Sequence, residues 1–146
     1  MTAYLETSFL VSLYTLDANS ASAVAHMRPG TGPFPLTSFC ELELTNAIEL
    51  RVFRREITAA QAKLALGDLG TDVAGGVFHP IPTPTSVYEE ALRLARRHTA
   101  LLGTRTLDIL HVAAALKLGL RAICTFDRRQ AQLARAAGLA TPIRIG

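Results

Sequence analysis

The chain has 146 residues, 49% of them hydrophobic, with a mean hydropathy of +0.26, a formal net charge of +3 and a pI near 9.2. That length supports one domain with a real core, residues 1–146, and excludes two of ordinary size. No apolar run reaches the roughly 20 residues of a membrane span, and the start, MTAYLETS, lacks the basic and long apolar regions of a secretory signal, so a cytoplasmic protein with no membrane partner is expected.

Taken in order, Ala3–Leu5 predicts a short strand ending in Glu6, after which Thr7 and Ser8 can cap a helix carrying Phe9, Leu10, Leu13 and Tyr14. Asp17–Met27 reads as a small Ala-rich helix, and RPGTGP forces a loop before a second strand at Phe34–Leu36. Ser38 and Glu41 have capping-box spacing ahead of the periodic run Leu42, Leu44, Ala47, Ile48 and Val52, and the helix they open carries Glu43. Thr58 and Gln61 repeat the device for a helix running to Gly75 and Gly76, which should form a hairpin with the one before it.

Val77–Ile81 predicts a third strand, PIPTPT a turn, and Ser86 with Glu89 a further capping box for a helix to about Ala100. Leu107, Leu110, Ala114 and Leu118 then recur at near-helical spacing, with Asp108 in the first turn and Gly119 just past the end. Ala122–Cys124 is apolar enough for a buried strand, with Thr125 and Asp127 at its carboxyl end. Arg128–Ala137 predicts a last helix ended by Gly138, and Pro142–Ile145 a final edge strand. Short strands alternating with helices mean βαβ units, hence an α/β fold with a parallel sheet.

Cys40 and Cys124 stand far apart in apolar contexts and form no CxxC, which excludes a zinc finger and reads as two reduced core thiols. Basic residues gather at Arg51, Arg54 and Arg55, at Arg93, Arg96 and Arg97, and at Arg128 and Arg129. Such clusters read first as solvated helix faces and are compatible with a polyanionic partner.

Four carboxylates occupy comparable places. Glu6 and Asp127 follow strands, Asp108 begins a helix on the same side of the sheet, and Glu43 lies one turn into its own helix. In open α/β sheets the carboxyl ends of the strands are where ligands bind. Each acid taken alone has a plain reading: Glu6 as a strand-end charge, Asp127 as a helix cap, Asp108 as a favourable partner of its helix dipole. Together they repel, by roughly 3 kcal/mol per pair at about 5 Å and an effective dielectric near 20. A divalent cation answers that repulsion, and oxygen-only ligands favour Mg²⁺ or Mn²⁺, which can activate water against a phosphodiester.

The motifs YLETSFLVSLY, TSFCELELTNAI, RTLDILHVAAAL and TFDRR, in that order over nearly the whole chain, resemble the PIN domain family, including the VapC-type toxins. The resemblance implies a three-layer α/β/α sandwich with a central parallel sheet and a Mg²⁺- or Mn²⁺-dependent endoribonuclease acting on RNA, the toxin of a type II toxin-antitoxin pair. Carried over by position, the catalytic acids are Glu6, Glu43, Asp108 and Asp127, with Glu6, Asp108 and Asp127 as the metal ligands. Ser8 and Thr125 match the small hydroxyl positions beside the site. An antitoxin protein and a second copy of the chain, as a homodimer, are the implied partners.

One position departs from the family pattern: its first acid is normally Asp, and here it is Glu6, one methylene longer. This leaves a catalytically impaired module that binds RNA or a partner protein as the alternative. Arg105, three residues before Asp108, is a phosphate contact or a surface arginine, and Arg128 and Arg129 are the expected RNA-backbone contacts. His111 reads as a buried, hydrogen-bonded core histidine. A receiver-like phosphorylation switch also gathers acids at strand ends, but it needs a lysine near the last strand, and Lys63 and Lys117 both fall on predicted helices.

Overall fold

The computed structural model of the chain describes residues 3–30 and 32–146. Thr31 of the RPGTGP loop lies outside the described residues. Four strands, β1 (Ala3–Leu5), β2 (Phe34–Thr37), β3 (Phe78–Ile81) and β4 (Ala122–Cys124), alternate with helices α1 (Thr7–Tyr14), α2 (Ser20–Met27), α3 (Ser38–Phe53), α4 (Ala59–Ala74), α5 (Ser86–Leu94), α6 (Ala100–Leu102), α7 (Thr106–Lys117) and α8 (Arg128–Ala136). Helices α1 to α4 pack among themselves, as α5 packs on α7 and α7 on α8, giving helical layers on the two sides of the strands.

The strands are parallel, as expected, but arrive as two hydrogen-bonded pairs. Tyr4 stands opposite Ile123 in the β1–β4 pair, and Leu36 opposite Pro80 in the β2–β3 pair. Pro35 supplies a reason for the gap between β1 and β2. The Phe34 N–H donates to Val77 on the β3 side, so strand alternation turns position 35 toward β1, where proline has no N–H to offer. Side chains span the seam instead, with the Tyr4 hydroxyl 3.2 Å from Oγ1 of Thr37.

A contiguous core joins the layers. Tyr4, Leu5, Phe9, Leu10, Leu36, Leu44, Ile48, Leu94, Ile123 and Leu133 are fully buried within it, and each large apolar side chain so buried contributes about 1.5–3 kcal/mol. The same burial puts Cys40 and Cys124 in the core as free thiols. Both thiols are pushed up to about 12 by desolvation. Among the described residues no helix is long and apolar enough to cross a membrane.

Local signals held where geometry could satisfy them. Thr58 and Gln61 form the reciprocal capping box, and Gly119 and Gly138 end their helices with positive φ. Other caps differ. Thr37, not Ser38, accepts the Cys40 N–H at the start of α3, and Ser38 bonds Thr83 instead. No side-chain cap opens α5, so Ser86 and Glu89 make no box. Ser8 lies inside α1 rather than capping it.

The buried face of α7 runs through Ile109, Val112, Ala113 and Ala115 as well as Ala114, while Leu107 is half exposed, so the Leu107–Leu118 stripe is not the core face. The helix expected to stop near Ala100 continues to Leu102 through a π-helical turn at Ala95–Thr99. Residues 142–145 form no strand. Pairing comes earlier, at Ala140, which accepts from the Ile123 N–H and donates to the Arg121 carbonyl.

Candidate active site

Glu6 ends β1 and Thr125 follows β4, and the Glu6 N–H extends the ladder by one bond to the Cys124 carbonyl. The two chains thus leave the sheet together. Glu6 is only 5% exposed, a costly position for a carboxylate unless hydrogen bonds replace its water. They do: Ser8 Oγ donates to its Oε2 at 2.5 Å and Thr125 Oγ1 at 2.9 Å. Those hydroxyls are fixed in turn, Ser8 by the Phe126 N–H at 2.9 Å and Thr125 by the Asp127 N–H at 3.0 Å. Burial still raises the Glu6 carboxyl above its usual range, against the opposing pull of His111, Ser8 and Thr125.

Glu43 approaches from α3. Its Oε1 accepts from Nε2 of the fully buried His111 at 2.7 Å, while Nδ1 of that ring lies 2.8 Å from the Tyr4 hydroxyl. A carboxylate can only accept, so Nε2 carries the proton. Burial pushes the Glu43 carboxyl up, but the His111 bond and charge, the Thr7 hydroxyl and Arg105 outweigh it and hold the group below its usual range.

Asp108 is raised by burial and by the charge of Asp127, with Arg105 opposing both. Asp127 does cap α8, its Oδ1 accepting the Gln130 N–H at 2.9 Å. Its Oδ2 lies 3.4 Å from an Arg105 terminal nitrogen, whose Nε lies 3.3 Å from Asp108 Oδ2. Asp127 is therefore both a cap and a member of the site.

All four acids line one cleft of about 650 Å³, together with Arg51, Arg54 and Arg105. A second cleft of about 720 Å³ adjoins it, sharing Asn19, Arg105, Phe126 and Asp127 and adding Arg128 and Arg129. A cleft of about 710 Å³ between Tyr14, Phe34 and Asp72 holds none of the four acids. The family model of the PIN domain matches residues 3–136. The chain belongs to the PIN domain family.

No curated protein matches the chain. Among solved structures, this PIN domain is similar to the Mycobacterium tuberculosis toxin VapC20, described as cleaving the sarcin-ricin loop. The identity is 19%, the TM-score 0.68, and the match covers 95% of this chain and 97% of that one. At that identity the likeness speaks for the fold.

The expected metal triad is not the tightest grouping in the PIN domain. Among the described residues, ligand atoms of Glu6, Glu43 and His111 all lie within 4.8 Å of one another, and Asp108 and Asp127 are outside that group. Both nitrogens of His111 are engaged by side chains, so the ring orients Glu43. Asp108 and Asp127 are instead drawn together by Arg105. The sequence reading placed His111 correctly in the core but missed that it touches Glu43. The signal was its position three residues after Asp108, on an adjoining part of the helix surface. Thr7 was also missed as a site neighbour. It is buried, with Oγ1 3.3 Å from His111 Nε2.

The cleft's far wall is stiffened by Arg51, which donates to Thr15 Oγ1 at 2.8 Å and to Asp17 Oδ2 at 3.0 Å. Asp17 is held below the usual range because the Asn19 N–H, Ser12 and Arg51 outweigh its desolvation. This ties the turn after α1 to α3.

Proposed function

We propose that this PIN domain is a divalent-metal-dependent endoribonuclease, the toxin of a type II toxin-antitoxin pair. The observation that carries the reading is the convergence of Glu6, Glu43, Asp108 and Asp127 on one cleft. Family membership and the fold likeness to a toxin described as cleaving an RNA loop support it.

The donor set suits a hard divalent ion. It is made of carboxylate oxygens, with Glu6 almost sealed from water; among the described residues Arg105 is the one basic side chain paired with Asp108 and Asp127, and His111 meets Glu43 as a hydrogen-bond donor. Glu6, Asp108 and Asp127 would hold Mg²⁺ or Mn²⁺. The ion would supply Lewis acidity, favouring deprotonation of the attacking water and neutralising charge on the phosphodiester.

The chain's own groups do the rest. Ser8 and Thr125 orient Glu6. Glu43, kept ionised by His111, accepts the proton of the attacking water. Arg105, Arg128 and Arg129 meet phosphate oxygens along the two adjoining clefts. Residues 1–146 act as one domain, paired with an antitoxin and with a second copy of the chain.

The test is cleavage of RNA by purified wild type and Asp108→Asn, with Mn²⁺, Mg²⁺ or EDTA. Cleavage by wild type that EDTA stops, reduced at least about 10²-fold by the substitution with the fold intact, is expected; even changes in the outer shell of a metal site cost 10–100-fold. Undiminished cleavage by the variant would remove Asp108 from the chemistry. Tight RNA binding by wild type with no cleavage in either metal would favour the impaired module, for which Glu6 in place of Asp is the motive.

A further inference from the structure

We propose that Arg105 is a built-in counter-cation that competes with the divalent ion for Asp108 and Asp127 and, once displaced, moves onto the substrate phosphate. The inference rests on the metal-dependent reading above and adds to it a competition within the chain. Three features of the structure argue for it.

First, one guanidinium serves two acids from different elements. Arg105 sits at the start of α7 in extended backbone, and its fork reaches Asp108 on that helix at 3.3 Å and Asp127, before α8, at 3.4 Å. These are two of the three carboxylates assigned to the ion. A cation occupying that position and a divalent ion held by the same oxygens exclude each other, because each neutralises the charge that attracts the other.

Second, the contacts are built to be broken. The Arg105 side chain is 69% exposed and both contacts are long. The acids are less exposed, Asp108 at 11% and Asp127 at 28%, but with the guanidinium solvated and the geometry long each pair stays near the exposed-pair range, a factor of about 1.4–5 in equilibrium. A divalent ion can displace them, whereas a buried bidentate pair would resist.

Third, the displaced side chain has a place to go. Arg105 lines the acid cleft and also the adjoining one that holds Arg128 and Arg129. A guanidinium turning from the first cleft to the second stays beside Asp127, which lines both, with its planar donors free for two oxygens of a phosphate. The same residue then guards the empty acids and engages the substrate of the loaded site.

The experiment measures Mn²⁺ binding to the metal-free protein, by the paramagnetic resonance of free Mn²⁺, for wild type, Arg105→Gln and Arg105→Lys, with Asp108→Asn as control. Arg105→Gln should bind Mn²⁺ about three- to tenfold more tightly than wild type. Arg105→Lys, which keeps the charge but not the fork, should fall between them. At saturating Mn²⁺, Arg105→Gln should cleave RNA more slowly despite its tighter metal binding, an opposition that a purely structural role would not produce. Unchanged or weaker Mn²⁺ affinity in Arg105→Gln, with wild type binding and Asp108→Asn not, would overturn the competition and leave the metal site standing. Absence of Mn²⁺ binding by wild type and by Arg105→Gln alike would overturn the metal site itself and the competition with it.

Discussion

Nε2 of His111, on α7, lies 2.7 Å from Oε1 of Glu43, on α3, and the ring's other nitrogen is held by the Tyr4 hydroxyl of β1. Three elements far apart in sequence are joined through one buried imidazole. The Tyr4 hydroxyl, raised well above its ordinary value first by burial, stays protonated, so it can donate either to Nδ1 or to Thr37 Oγ1. Glu43 is therefore oriented from the core outward.

Removing that hydroxyl tests the relay. Tyr4→Phe leaves His111 Nδ1 buried without its partner, which costs about 1–3 kcal/mol, and should lower the midpoint of a urea unfolding curve accordingly. Looser control of Glu43 should reduce RNA cleavage about tenfold or more, the scale of effects seen when a side chain that orients a ligand is lost. A variant as active as wild type would show that Glu43 needs no orientation from His111.

Glu6 predicts an acid-side gain in stability. Burial raises its carboxyl in the folded chain above the ordinary value of 4.5, so folding favours the protonated form. Its stabilising contribution is fully present below the unfolded value and is lost as pH rises through the folded one. Asp108 acts in the same sense. Glu43 and Asp17, both lowered, act oppositely, stabilising above their unfolded values and losing that contribution as pH falls. In EDTA, Glu6→Gln should therefore unfold at a higher temperature than wild type at pH 7, and the difference should shrink as pH falls toward 4.5. A variant less stable than wild type at pH 7 would mean that the hydroxyls of Ser8 and Thr125 more than offset the burial.

How much of this was legible in the sequence depends on the range of the interaction. β1, β4 and α7 were readable because apolar runs and the glycine at 119 act within a few residues. Asp127 as both a cap and a site acid was visible in outline from its place between β4 and a helix. The capping box at Ser38 failed because Thr37 caps α3 one residue earlier, at the Cys40 N–H, and Ser38 bonds Thr83 instead, a contact that depends on the packing of β2 against β3; at α5 the helix already includes Ser86, which leaves it no capping place. The His111–Glu43 contact spans 68 positions, and the capture of Asp108 and Asp127 by Arg105 depends on how two helix starts meet. Neither leaves a periodic trace. The missing β1–β2 ladder follows from Pro35, yet which neighbour position 35 would face was not readable until the strand order was known.

Gly119 separates stability from chemistry. It has φ of +70° at the end of α7, and a Cβ added there would meet nothing within 4 Å. The cost of a side chain is thus purely backbone, about 1–2 kcal/mol for Ala and less for Asn, which tolerates the left-handed region. Gly119→Ala should lower unfolding stability by that amount with RNA cleavage at permissive temperature unchanged. A change in cleavage would imply that the α7–β4 turn moves Asp108 or Asp127.

Arg128 and Arg129 begin α8 beside the acids, but their positions differ in one respect. Arg128 donates to the Gly146 carbonyl at 2.8 Å, whereas no side-chain partner of Arg129 is found among the described residues. Both line the cleft that adjoins the four acids. If single-stranded RNA crosses that cleft, each phosphate neutralised contributes about 0.7 to the slope of log affinity against log salt. Arg129→Gln should flatten the slope by about that amount and weaken binding similarly for RNAs of different sequence, since a phosphate contact carries no base information. Arg128→Gln should have the smaller effect, because its guanidinium must first leave the Gly146 carbonyl. Fluorescence anisotropy of a short labelled RNA with metal-free protein, from low to moderate salt, measures both. An unchanged slope for Arg129→Gln would take the backbone path away from α8 and turn it toward Arg54, which also lines the acid cleft.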